Sequence, residues 1–148
     1  MFGRSIADPH GIEGQATSVP GLGLLDMDTE ISGVKTLTEI AGETIGDGIP
    51  VKGYEMHMGR STGPATACPL VRFKDGRVDG AVSADGRVTG TYVHGFFGED
   101  AQRRAWIERL GGTPSPHSHE VHIESTLDAL AAHLEAHIDI DRLLKSAR

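Results

Sequence analysis

A chain of 148 residues with 20 glycines, one cysteine and a net charge of -7 is sized for one domain, or part of one, with a sizeable core. The acidic balance and an aromatic content of only 5% exclude the phosphate-neutralising patch and the stacking platform of a nucleic-acid binder. The single thiol, Cys68, excludes an internal disulfide and a multi-thiolate metal site, and no apolar run approaches the roughly 20 residues that span a bilayer.

Met1-Phe2-Gly3-Arg4 does not open a signal peptide, so a soluble cytoplasmic protein with no membrane partner is expected. Abundant glycine argues for many turns and a mixed α/β chain over a helical bundle. Residues 1–20 carry little periodicity, and with the turn signal Asp8-Pro9-His10-Gly11 they read as a loop. Leu22-Gly23-Leu24-Leu25-Asp26-Met27 is a short apolar run of the kind that makes a buried strand. Residues Thr36 to Ala41 are β-branched but too short to assign.

Val51 to Met58 alternates after Pro50 and reads as a strand ending at Gly59. In that alternation Tyr54, Met56 and Met58 share one face, while Glu55 and His57 share the other. Glu55 and His57 can orient each other, with Arg60 just beyond; an edge strand with a solvated polar face fits the spacing equally. Leu70-Val71-Arg72-Phe73 is followed by Asp-Gly pairs at 75–76, 79–80 and 85–86, a strong hairpin signal. Residues 70–97 therefore read as a meander of short strands whose last member carries His94.

After Asp100, a good N-cap, Ala101, Ala105, Trp106 and Leu110 recur at helical spacing until Gly111-Gly112. A longer helix carries Leu127, Leu130, Ala131, Leu134 and Ile138 on one face. Asp139 or Asp141 caps a last short turn into Leu143 and Leu144.

Within Gly90-Thr91-Tyr92-Val93-His94-Gly95-Phe96-Phe97, one histidine stands at the end of a β-type apolar run, between glycines. Such a histidine is placed for proton transfer; the plainer alternative is a core or turn histidine satisfying a hydrogen bond. Pro69 follows Cys68 and removes the backbone N–H that would donate to an oxyanion, so Cys68 reads as a structural or incidental thiol. His117, His119 and His122, with Glu120 among them, could hold zinc if they converged. Their spacing puts all three on one face of neither a helix nor a strand, so no metal site is expected. No glycine-rich phosphate loop is present, and a nucleotide site within this chain is not expected.

Taken in order, Gly21 to Asp26, Lys35-Thr36-Leu37, Gly53 to Arg60, Asp79-Gly80-Ala81-Val82-Ser83 and Gly90 to Phe97 resemble the glutaminase domain of the cobyric acid synthase family. The resemblance runs nearly end to end, through Leu127-Asp128-Ala129-Leu130-Ala131 and Asp139-Ile140-Asp141. It implies an α/β fold, the C-terminal part of a class I glutamine amidotransferase-like (flavodoxin-like) domain. Short strands and hairpins would be followed by two C-terminal helices. The family amidates peripheral carboxylates of the corrin ring in cobalamin biosynthesis with ammonia drawn from glutamine. ATP and Mg serve an N-terminal synthetase domain, and no cofactor is implied within this chain. The implied partners are glutamine, a corrinoid substrate and the synthetase segment.

By the same resemblance, His94 is the histidine of the family motif Thr-Tyr-Leu-His-Gly-Leu-Phe. It acts as base for a cysteine held in a Gly-x-Cys-Gly-Gly-x-Gln-Met-Leu-Gly elbow. Met1-Phe2-Gly3 matches the end of that elbow, so the nucleophile is expected about five residues before Met1, and residues 1–148 would be a partial domain lacking the N-terminal βα units. The glutamate that stands two residues after the histidine in the usual class I triad is Phe96 here. Glu55 is left as a candidate for orienting His94, with Tyr54 and His57 as further orienting or binding residues. The expectation is a domain part that holds the base, lacks the nucleophile and is inactive alone. The alternative is a non-catalytic binding or complementation module, because a missing half-sheet exposes strand edges. A metal-dependent enzyme built on the histidine cluster is a third reading.

Overall fold

The computed structural model describes residues 1–147. Its spine is a long antiparallel hairpin of β3 (Asp28–Thr44) and β4 (Pro50–Thr62), in register from Asp28↔Thr62 to Glu43↔Pro50 with an interruption between Ile31 and Thr36. β1 (Ser5–Asp8) runs parallel to β3 and carries β2 (Thr17–Pro20) antiparallel on its outer side. β5 (Val71–Phe73) pairs with the far end of β3 and with β6 (Val78–Asp79), and β9 (Val93–His94) closes the other edge against β4. β7 (Ala81–Val82) and β8 (Thr89–Gly90) form a separate two-stranded piece. Three helices follow: α1 (Asp100–Arg109), α2 (His119–His137) and α3 (Ile140–Ser146). The fold is mixed α/β, as expected.

Residues 70–97 form short strands as expected, but as two separate hairpins and a last strand paired with β4, not as one meander. Asp75-Gly76 turns β5 into β6 and Asp85-Gly86 turns β7 into β8, whereas Asp79-Gly80 links β6 and β7, which do not pair with each other.

Four expectations need correction. The strand from Val51 does not end at Gly59 but runs to Thr62, because Asp28 to Ile31 of β3 pair with its last residues. Residues 1–20 are not one loop but the β1–β2 hairpin, because β1 finds its partner β3 some twenty residues downstream. Leu22 to Met27 is not a strand. Gly23 takes φ +67 and breaks the extended run, the chain folds back so that Leu24 and Leu25 donate to the Phe2 carbonyl, and only Leu25 is buried, at 2% exposure. The first helix begins directly after Glu99, which makes no side-chain capping bond, and Asp100 becomes its first residue. There the Asp100 carboxylate is taken by Arg103 and by the His119 N–H, and so does not cap its own helix.

The core gathers Ile40, Val51, Leu70, Val71, Phe73, Val93 and Phe96, with Trp106 of α1 packed against it. Residues from β3, β4, β5 and β9 thus share one apolar centre, driven by removal of their side chains from water. Helix α1 is fixed to the hairpin by one buried side chain: Gln102, 1% exposed, donates to the Ile49 carbonyl at 3.0 Å and to the Thr44 hydroxyl at 3.3 Å. α2 buries no residue, and Leu127, Leu130 and Leu134 are 51%, 51% and 41% exposed. The last turn is a third helix, α3, capped by Asp139, which accepts from the Arg142 N–H at 2.9 Å. Among the described residues no helix is long and apolar enough to cross a membrane.

The β1–β2 turn has a pH-sensitive clasp. Asp8, 5% exposed, accepts from the Glu13 N–H at 2.8 Å and the Ile12 N–H at 2.9 Å, and these bonds, Glu13's foremost, hold its carboxyl below the usual carboxylate range. A depressed folded value means the clasp is whole above the unfolded value, about 4, and is lost as pH falls through the lower folded value. The protection factors of the Ile12 and Glu13 amides are expected to fall as pH drops below about 4 and to be low at every pH in Asp8→Ala. Protection that ignores acid in the unsubstituted chain would refute the clasp.

Candidate functional site

Two short pairings deliver His94. β9 meets β4 through Tyr54↔His94 and Glu55↔Val93, and directly opposed residues of an antiparallel pair share a face. His94 and Tyr54 therefore lie together on the open face, their rings stacked 5.0 Å apart at an angle of 8°. Val93 and Phe96, each 7% exposed, anchor the strand on either side while His94 itself is exposed.

Glu55 lies on the other face with Val93. It is 4% exposed, and its Oε2 accepts from Arg77 Nη1 at 2.7 Å. The bond to Glu55, then that to Asp75, drives the Arg77 guanidinium further above its ordinary value. Arg77 also covers the Phe73 ring at 5.0 Å. His57 stands beside Glu55: its Nδ1 lies 2.8 Å from the Gly59 carbonyl and so carries the proton, and its Nε2 faces Glu55 Oε1 at 3.8 Å. The structure brings Tyr54 to His94 and Glu55 to His57. It does not bring Glu55 to His94.

On the Glu55 side opens a cleft of about 750 Å³, lined among others by Met1, Phe2, His57, Arg60, Asp79 and Tyr92. Tyr92 stacks on His57 at 4.2 Å, and its hydroxyl continues through Ser61 at 2.9 Å to Thr29 at 2.8 Å. Among the described residues Arg60 has no carboxylate within ion-pair distance, which leaves a cation available in the cleft. Phe2 reaches Gly90, four residues before His94, where a Cβ would sit 3.2 Å from its ring. The first residues of the chain thus border both the cleft and the segment leading into His94.

Sequence reasoning passed over two residues here. Asp79 was legible only as a turn residue, yet its carboxylate accepts from the Tyr92 N–H at 2.9 Å and the Thr91 hydroxyl at 2.5 Å, fixing the approach to β9. Arg77 carries no reading in sequence, since nothing local announces its partner 22 residues away. Cys68 is exposed at the end of a 3-10 turn (Pro64–Ala67), its N–H bonded to Ala65 and its carbonyl to Val82. His119, Glu120 and His122 fall in the first turns of α2 with His117 just before it, and among the described residues no group of three His, Cys, Asp or Glu side chains gathers as metal ligands.

The profile of the CobB/CobQ-like glutamine amidotransferase domain matches residues 1–102, and the chain belongs to that family. Over its whole length it is similar to cobyric acid synthases. It is 56% identical over 148 residues to that of Methylorubrum populi and 49% identical over 148 residues to that of Rhodobacter capsulatus, all of this chain being covered in each. With the protein of Methylocella silvestris the identity is 55% over 147 residues, 99% of this chain. The chain spans 30% of the length of the first of these relatives and 31% of the other two.

Proposed function

We propose that residues 1–148 are the C-terminal part of the glutaminase domain of an enzyme of cobalamin biosynthesis, one that amidates corrin side-chain carboxylates in the cytoplasm. His94 is its general base. The observation that carries this reading is the placement of His94 at an exposed strand end between buried anchors, in a chain whose first residues match the end of a cysteine elbow.

In the joined enzyme the cysteine sulfur attacks the glutamine carboxamide, and the N–H groups of the elbow hold the oxyanion. His94 takes the thiol proton and returns it to departing ammonia, then activates the water that cleaves the thioester to glutamate. ATP and Mg belong to the synthetase segment of the longer polypeptide.

The 148-residue chain alone is expected to release no ammonia from glutamine, because its thiol, Cys68, lacks an oxyanion donor at residue 69. Adding the cysteine-bearing upstream segment of a related cobyric acid synthase is expected to restore turnover. Ammonia release by the isolated chain at an enzymatic rate sinks the proposal. The second reading, a non-catalytic association module, is favoured by the uncovered apolar stripe of α2; stable association without turnover would select it.

A further inference from the structure

Among the described residues no carboxylate lies within ion-pair distance of the His94 imidazole. Position 96, where the usual triad places a glutamate, is Phe96 and is buried in the core. Glu55 lies on the opposite face, held by Arg77. The acidic residue in the same cross-strand row is Glu39 on β3, and Tyr54 on β4 stands between it and His94. What touches the imidazole is the Tyr54 ring, nearly parallel at 8° and 5.0 Å away.

We propose that Tyr54 is the positioning residue for His94, its ring setting the imidazole plane where a triad carboxylate would otherwise do so. The inference rests on the reading of His94 as general base. An imidazole at a strand end turns about two side-chain torsions, and a parallel aromatic neighbour narrows both, since tilting the ring breaks the contact. The stack also bears on the chemistry. When His94 takes the thiol proton it becomes a cation within about 6 Å of a tyrosine face, an arrangement that the ring quadrupole stabilises. That interaction is stronger once the proton has moved than before, so it acts on kcat and leaves KM alone.

The geometry is testable in the chain as it stands. NMR of the unsubstituted chain is expected to show cross-peaks between the Tyr54 and His94 ring protons, and ring-current displaced His94 Hδ2 and Hε1 resonances. Tyr54→Leu removes the displacement and Tyr54→Phe keeps it. In the chain reconstituted with a cysteine-bearing segment, Tyr54→Leu is expected to lower kcat about tenfold with KM unchanged, and Tyr54→Phe to restore it. Missing cross-peaks in the unsubstituted chain, or full kcat in Tyr54→Leu, overturn the positioning role while leaving His94 as base. Turnover that survives His94→Ala overturns the base, and the positioning role with it.

Discussion

Alanine in place of His94, in the chain reconstituted with a cysteine-bearing upstream segment, is expected to lower kcat for glutamine hydrolysis by about 10²–10⁴-fold. The range follows from the two proton transfers His94 would serve: out of the thiol as sulfur attacks, and onto nitrogen as ammonia leaves. Without the imidazole the sulfur relies on its small thiolate fraction, and ammonia departs without a positioned acid. KM is expected to stay close to its original value, because in the proposed role the imidazole would act on the reacting atoms and substrate binding would fall to other groups. Stability should fall by no more than about 1 kcal/mol, the worth of one exposed aromatic stack, since His94 is exposed and its loss opens no core cavity. Steady-state kinetics on purified, folded His94→Ala protein checks this, and a rate within a few-fold of the unsubstituted enzyme removes His94 from the chemistry.

Much of this site was legible because its signals are local. Asp75-Gly76 and Asp85-Gly86 turn their hairpins where they stand, and the alternation of Tyr54 against Glu55 and His57 is the alternation of the folded strand. The elements that escaped reading depend on partners distant in the chain. β3 is 17 residues long, but Ser32 to Lys35 lie where the register shifts and break its alternation, so only Thr36 to Ala41 looks β-like. β1 is too short to announce itself and exists because β3 pairs with it in parallel. Leu22 to Met27 failed in the opposite direction, as apolar content suggested burial while Gly23 bent the backbone out of a strand. Glu55 shows the limit for function: a carboxylate one residue from Tyr54 in sequence is a sheet's thickness from His94 in space, because neighbours in a strand face opposite ways.

The same pairing makes Gly53 the most sensitive backbone position around the site. A Cβ there would sit 2.0 Å from the His94 carbonyl oxygen and 3.2 Å from its carbonyl carbon. Both obstacles are backbone, so no rotamer change relieves them. β9 is held to β4 by only two residue pairs, Tyr54↔His94 and Glu55↔Val93, and it is the segment that must give way. Val93 and Phe96 would then leave the core, at about 1.5–3 kcal/mol for each side chain if fully re-exposed. Gly53→Ala is therefore expected to cost about 3 kcal/mol or more, a fall in Tm of roughly 6–12 °C for a chain of this size. It is also expected to scatter His94 from Tyr54, lowering kcat in the reconstituted enzyme as far as His94→Ala does. Gly33→Ala is the control: its nearest neighbour would be an Ile12 methyl at 3.9 Å and its φ is not positive, so stability should change by less than about 0.5 kcal/mol. Thermal denaturation of the two variants side by side decides the matter. If Gly53→Ala melts with Gly33→Ala, then the His94 backbone does not close on Gly53 as described, and the placement of His94 must be redrawn.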